Sequence, residues 1–192
     1  MKKTLLSSLL ALALLSVPAL AQEMDMQAAM EKWVKMATPG APHEYLAKLA
    51  GSWDAKVKMW MDPAAPPEES AGTSENTMAL DGRWLEQHYT GTMMGQPFHG
   101  IGFTGYDNYK QQYVSTWMDT ASTSVMIMTG ATDASGLMTT TGSMDDCITG
   151  AVTQMKSTLT IVDKDHHKME MWASGPDGKM FKNMEIEYSR KK

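Results

Sequence analysis

Three Met-x-Met pairs, Met59/Met61, Met126/Met128 and Met169/Met171, stand among the 20 methionines of this 192-residue chain. Residues two apart share one face of an extended strand at a separation of about 7 Å, so each pair presents two thioethers together. Thioethers are soft and adaptable: they fill a core, line a forgiving apolar site, or ligate Cu(I). A binding site also needs polar anchors, and Arg83, Glu86, His88, Tyr106, Trp117 and Asp119 are the candidates in strand-like sequence. Arg83 and Glu86 would flank a hairpin turned at Asp81-Gly82. Asp119 with His88 would be the acid and base of a cavity enzyme. Together with Met126 and Met128, these residues form the candidate ligand site; no catalytic residue and no metal ligand is assigned.

Other motifs fail on their context. Gly100 to Gly105 spells G-x-G-x-x-G, which cradles a dinucleotide only where a strand gives way to a helix. Here Tyr106-Asp107-Asn108 is a turn, and Gln111 to Asp119 alternates like another strand. Gly100 and Gly102 instead share a strand face and leave room for a large neighbour such as Trp117. His43-Glu44 begins H-E-x-x-H, but position 47 is Ala. His166 and His167 are adjacent, so on a strand they point to opposite faces. Asp163 and Asp165 lack the residues that complete a calcium loop. No G-x-S-x-G occurs, and the one cysteine, Cys147, has no evident base and no disulfide partner. No cofactor is therefore expected. A copper site would need His beside the methionines, for which His88 and His99 are the strand candidates.

The elements that position these residues follow from hydrophobic period. Residues 1–21 read as a secretory signal peptide: Lys2 and Lys3, an apolar run from Leu5 to Leu15, then Ala19-Leu20-Ala21. Residues 22–42 are a helical lead-in and linker, with Met26, Met30, Trp33 and Val34 on one stripe of a helix over 25–36 and a break at Thr38 to Pro42. A short helix over His43 to Ala50 ends at Gly51. From there the period drops to two, and strands are predicted at 52–61, 72–80, 83–93, 98–106, 111–119, 124–132, 137–145, 151–162, 167–174 and 179–190. Their links are mostly two to five residues, which joins antiparallel neighbours. Ten such strands are best closed into an up-and-down barrel, because closure removes the unpaired edges. The domain expected over 43–192 is thus all-β, with room inside for one small ligand.

Without the leader, 17 basic residues less Lys2 and Lys3 leave 15 against 22 acidic, a formal charge of −7 on 171 residues. An acidic surface without basic runs disfavours nucleic acid as a partner, and the apolar run is too short for a membrane-spanning helix of about 20 residues. The expected location is periplasmic or secreted.

Two resemblances join these readings. Gly51-Ser52-Trp53 opening the first strand after a short helix resembles the Gly-x-Trp signature of lipocalin-like (calycin-type) barrels. That resemblance implies that Trp53 closes one barrel end and that Arg190 near the end of the last strand packs across it. A guanidinium over an indole is worth about 0.5 to 2 kcal/mol, and its donors can cap helix carbonyls. Over His43 to Lys191, the stretches HEYLAKLAGSWD, LDGRWLEQHYTGTMMGQPFHGIGFTGYDN, YVSTWMDT, SGPDGK and MEIEYSRK resemble the bacterial secreted family known as domain of unknown function 1579. It implies a fold and an address and brings no activity. The leading expectation is a secreted barrel that binds a small apolar or amphipathic molecule and is not an enzyme. An envelope enzyme using Asp119 and His88, and a Met-rich Cu(I) buffer, are the alternatives.

Overall fold

The computed structural model describes residues 17–146, 150–175 and 177–192, and their side chains from residue 25 onward. Most of the expected leader and Cys147 lie outside the described residues. The chain divides into two units, up to Thr38 and from Pro39. The first contains α1 (Val17–Ala37), longer than the predicted 25–36, and its stripe of Met26, Met30, Trp33 and Val34 is exposed.

The second unit begins with α2 (Ala41–Ala47). The helix starts two residues before His43 because Pro42 sits in its first turn, where a missing N–H does no harm. The Gly40 N–H donates to His43 Nδ1 at 3.0 Å, so the imidazole steadies the helix start. Ten strands follow: β1 (Gly51–Met59), β2 (Glu68–Ala79), β3 (Trp84–Met93), β4 (Gln96–Asp107), β5 (Gln112–Asp119), β6 (Met126–Thr132), β7 (Met138–Asp145), β8 (Val152–Ile161), β9 (His166–Ser174) and β10 (Met180–Arg190). Each pairs antiparallel with its sequence neighbour, and β1 pairs with β10 to close the barrel. The expected up-and-down barrel is therefore the fold. The largest boundary difference among the strands is β2, whose Glu68 to Ala71 pair with Met59 to Lys56 without an alternating pattern that would have marked them.

Alternation sorts the two faces. On β3, Leu85 and Tyr89 are buried while His88 between them is exposed. Leu46 and Leu49 plug one end of the barrel against Leu85, Tyr113 and Met138. The outer wall carries an ionic lattice in which Lys168 and Lys182 each approach both Glu170 and Glu185. The Lys182 ammonium, with Lys168 behind it, holds the Glu185 carboxyl down at about 2. A lipid-facing barrel needs an apolar outer band, so this wall suits water. No helix among the described residues is long and apolar enough to cross a membrane.

The junction of α2 and β1 is where the barrel locks. Trp53 is 1% exposed, faces Arg190 in the β1/β10 register, and donates from its indole N–H to the Leu49 carbonyl at 2.9 Å. The Arg190 guanidinium lies 4.0 Å from the Trp53 ring centre and donates to the carbonyls of Ala50 (2.9 Å), Lys48 (3.4 Å) and Lys164 (3.0 Å). One cation thus covers the indole and satisfies carbonyls that the end of the helix leaves open. Gly51 has φ +127°, and a Cβ there would stand 2.2 Å from Arg190 Nη1, so only glycine fits beneath that side chain.

Candidate functional site

A cavity of about 380 Å³ runs inside the barrel from α2 to the loop between β5 and β6. Leu46 and Leu49 form its floor; at the other end Val125 and Met144 line it while partly exposed to solvent, so that end is the mouth. The volume falls in the range of about 300 to 1,000 Å³ typical of small-molecule pockets.

The walls differ in chemistry. Along β6, β8 and β9, Met128, Met155, Met171 and Ala173 form a buried cluster joined by Met126, Met169 and Met184. Opposite, Tyr89 and the partly buried Phe98 and Trp117 belong to an aromatic cluster with Trp53 and Tyr188. Trp117 owes its place to Gly100 and Gly102. A Cβ on Gly100 would come 2.1 Å from Trp117 Cζ2, and one on Gly102 would come 3.0 Å from Cε3, so the indole lies across two residues without side chains. The glycine motif therefore makes room for an aromatic wall, as its strand context implies. Replacing Gly100 with Ala will push the indole off this seat. We expect a loss of about 1 to 3 kcal/mol of stability and a shifted tryptophan emission, read by urea unfolding followed by fluorescence. An unchanged spectrum would remove Gly100 as the reason for the Trp117 position.

Polar groups sit deeper. Gln87 Nε2 donates to Ser74 Oγ at 2.9 Å and contacts the Tyr188 hydroxyl at 3.4 Å; Ser74 donates to Asn76 Oδ1 at 2.7 Å, and Asn76 Nδ2 to the Leu49 carbonyl at 3.0 Å. His167 is 4% exposed, stacked on Tyr188 with centroids 4.3 Å apart and set edge-on to Trp53 at 4.3 Å. Burial, assisted by the Arg190 charge, lowers the His167 imidazole to about 4, so it is neutral near pH 7. Its Nδ1 has no hydrogen-bond partner among the described residues.

Of the residues singled out from sequence, Trp117, Asp119, Met126 and Met128 line the cavity together. The rest do not. Glu86 and His88 occupy the outward positions of β3 and bond to each other at 2.7 Å, because Leu85, Gln87 and Tyr89 take the inward ones. Asp119 and His88 are thus on opposite faces of the wall and make no acid and base pair. Arg83 lies in the β2–β3 turn, bonded to the Leu80 carbonyl at 3.1 Å. Tyr106 does point inward but packs at the plugged end, edge-on to Tyr113 at 4.9 Å and to His43 at 6.0 Å. Met61 falls beyond β1 and is 73% exposed, so Met59 alone of that pair reaches the cavity. His99 is on the outer face beside Thr90. The imidazole that lines the cavity is His167, whose inward position follows from its neighbour His166 facing Asp163 outside.

A closed antiparallel barrel plugged by a short helix, with an indole and a guanidinium locking that end, defines a lipocalin-like protein. Its sequence places it further: residues 38–190 match the family model described as "Protein of unknown function (DUF1579)", and the chain belongs to that family. No curated protein matches it. The S-type phycobiliprotein lyase CPES from Guillardia theta shares the fold at 10% identity and a TM-score of 0.58, over 83% of this chain and 96% of that one. Rv2717c from M. tuberculosis does so at 13% identity and 0.58, over 80% and 100%. At such identities the likeness concerns the fold.

Proposed function

We propose that this protein binds one small apolar or amphipathic molecule inside its barrel, and that it does so in the periplasm or outside the cell after losing residues 1–21. The observation that carries the reading is the cavity, walled on one side by thioethers and on the other by aromatic rings. Flexible unbranched side chains adapt to varied apolar shapes, and burying apolar ligand surface yields about 25 cal/mol per Å² before the losses of association. The leader-like first residues support the location.

The test is a titration with the neutral fluorescent probe N-phenyl-1-naphthylamine. One saturable site is expected, and a variant with Ser157→Phe, which places a ring in the cavity from β8, should weaken it by at least about tenfold, or 1.4 kcal/mol. Equal binding by this variant, with its circular dichroism unchanged, would put the probe elsewhere. Native mass spectrometry of protein from its own envelope complements this: a copurifying organic mass supports the proposal, and a bound copper ion would shift it to the thioether wall.

A further inference from the structure

The binding reading above leaves the charge of the ligand open, and the mouth of the cavity narrows it. Among the described lining residues Asp119 is the one formally charged side chain, His167 being neutral, and none is Lys or Arg. An anionic group drawn inside would therefore lose water without meeting a counter-charge, which is strongly unfavourable.

Asp119 is built into its place. It ends β5 at the mouth, with Oδ2 accepting the Trp117 indole N–H at 2.9 Å and Oδ1 accepting the Ala121 backbone N–H at 2.9 Å. Those bonds fix the plane of the carboxylate and leave each oxygen a further lone pair. Among the described residues no Lys, Arg or His forms an ion pair with it. Its hydrogen-bonded neighbour is Trp117, which pairs with Met126 on β6; Asp119 itself stands opposite Gly100, two residues along β4 from Phe98 on the same face, and Met184 lines the same cavity. A fixed carboxylate, aromatic faces and an apolar shaft form a receptor for an onium group with a hydrophobic body. The acidic chain also draws cations toward it.

We propose that the cavity takes amphipathic cations, with the apolar body in the barrel and an amine or quaternary ammonium at the mouth against Asp119, Trp117 and Phe98. The experiment displaces N-phenyl-1-naphthylamine from the full-length folded protein with three ten-carbon chains: decyltrimethylammonium, 1-decanol and decanoate. The cation should compete best, about tenfold better than decanoate. Asp119→Asn should weaken the cation about five- to tenfold, with decanol unchanged and the preference over decanoate lost. Decanoate competing as well as the cation, or decanol weakened as much as the cation by Asp119→Asn, overturns this proposal and leaves cavity binding intact. Failure of all three chains to compete overturns the cavity reading itself.

Discussion

Replacing Trp53 with Ala will lower the unfolding free energy by about 3 to 5 kcal/mol, the range for emptying a buried aromatic site. Three separate losses converge there. The indole leaves a cavity among Ala55, Tyr89, Ile186 and Tyr188, which Met169 and Met184, packed against the same cluster, refill only in part. The Leu49 carbonyl loses one of its two donors, keeping only Asn76 Nδ2. The Arg190 guanidinium loses the ring beneath it. Arg190→Leu should lose about 1 to 3 kcal/mol, because the Ala50 carbonyl then faces the junction without its donor. The two changes should be less than additive by about 0.5 to 2 kcal/mol, the worth of the cation over the ring. Urea unfolding of the four proteins in the cycle measures this coupling. Additive losses would reduce the guanidinium to a set of carbonyl caps.

Much of this geometry was legible from spacing. The change from helical period to alternation at Trp53 marks the first strand, and short links force antiparallel neighbours; Gly100 and Gly102 announce a large partner on the same face. The polar candidates were harder to place, since a polar residue on a half-buried strand belongs to whichever face the core residues leave. On β3 the apolar Leu85 and Tyr89 decide that question: two-residue parity carries Gln87 inward and turns Glu86 and His88 out. Anchoring the parity on the core residues, instead of selecting by side-chain chemistry, would have found Gln87 and rejected His88. By the same rule Met61 fails only because β1 ends at Met59, an end set by the Asp62-Pro63 turn rather than by face. The deep polar chain of Ser74, Asn76, Gln87 and Tyr188 joins β2, β3 and β10, and no local pattern connects residues that distant in sequence.

The buried imidazole supplies the second large effect, a loss of stability in mild acid. His167 has a folded value near 4 against an ordinary 6.5, lowered first by burial and then by the Arg190 charge. Between those values the unfolded chain holds a proton that the native protein refuses, so stability rises with pH across this window and falls as acid is added. The full shift corresponds to about 3 kcal/mol, gained by pH 7 and lost as pH approaches 4. Packing around the ring supports the sign. Tyr188 lies flat against it, Trp53 meets it edge-on, Arg190 is the charge nearby, and Nδ1 has no acceptor waiting for a proton. His43, also lowered by burial, acts in the same direction, whereas the Glu185 carboxyl, held near 2 by Lys182, gives up its contribution only below about 4.5. His167→Phe separates these effects. Any overpacking by the larger ring moves the whole curve without changing its slope, while the missing imidazole flattens the interval from pH 4.5 to 6.5. Urea unfolding at half-unit pH steps should show that difference in slope; parallel curves for the two proteins would mean that the native barrel accepts a proton at its plugged end.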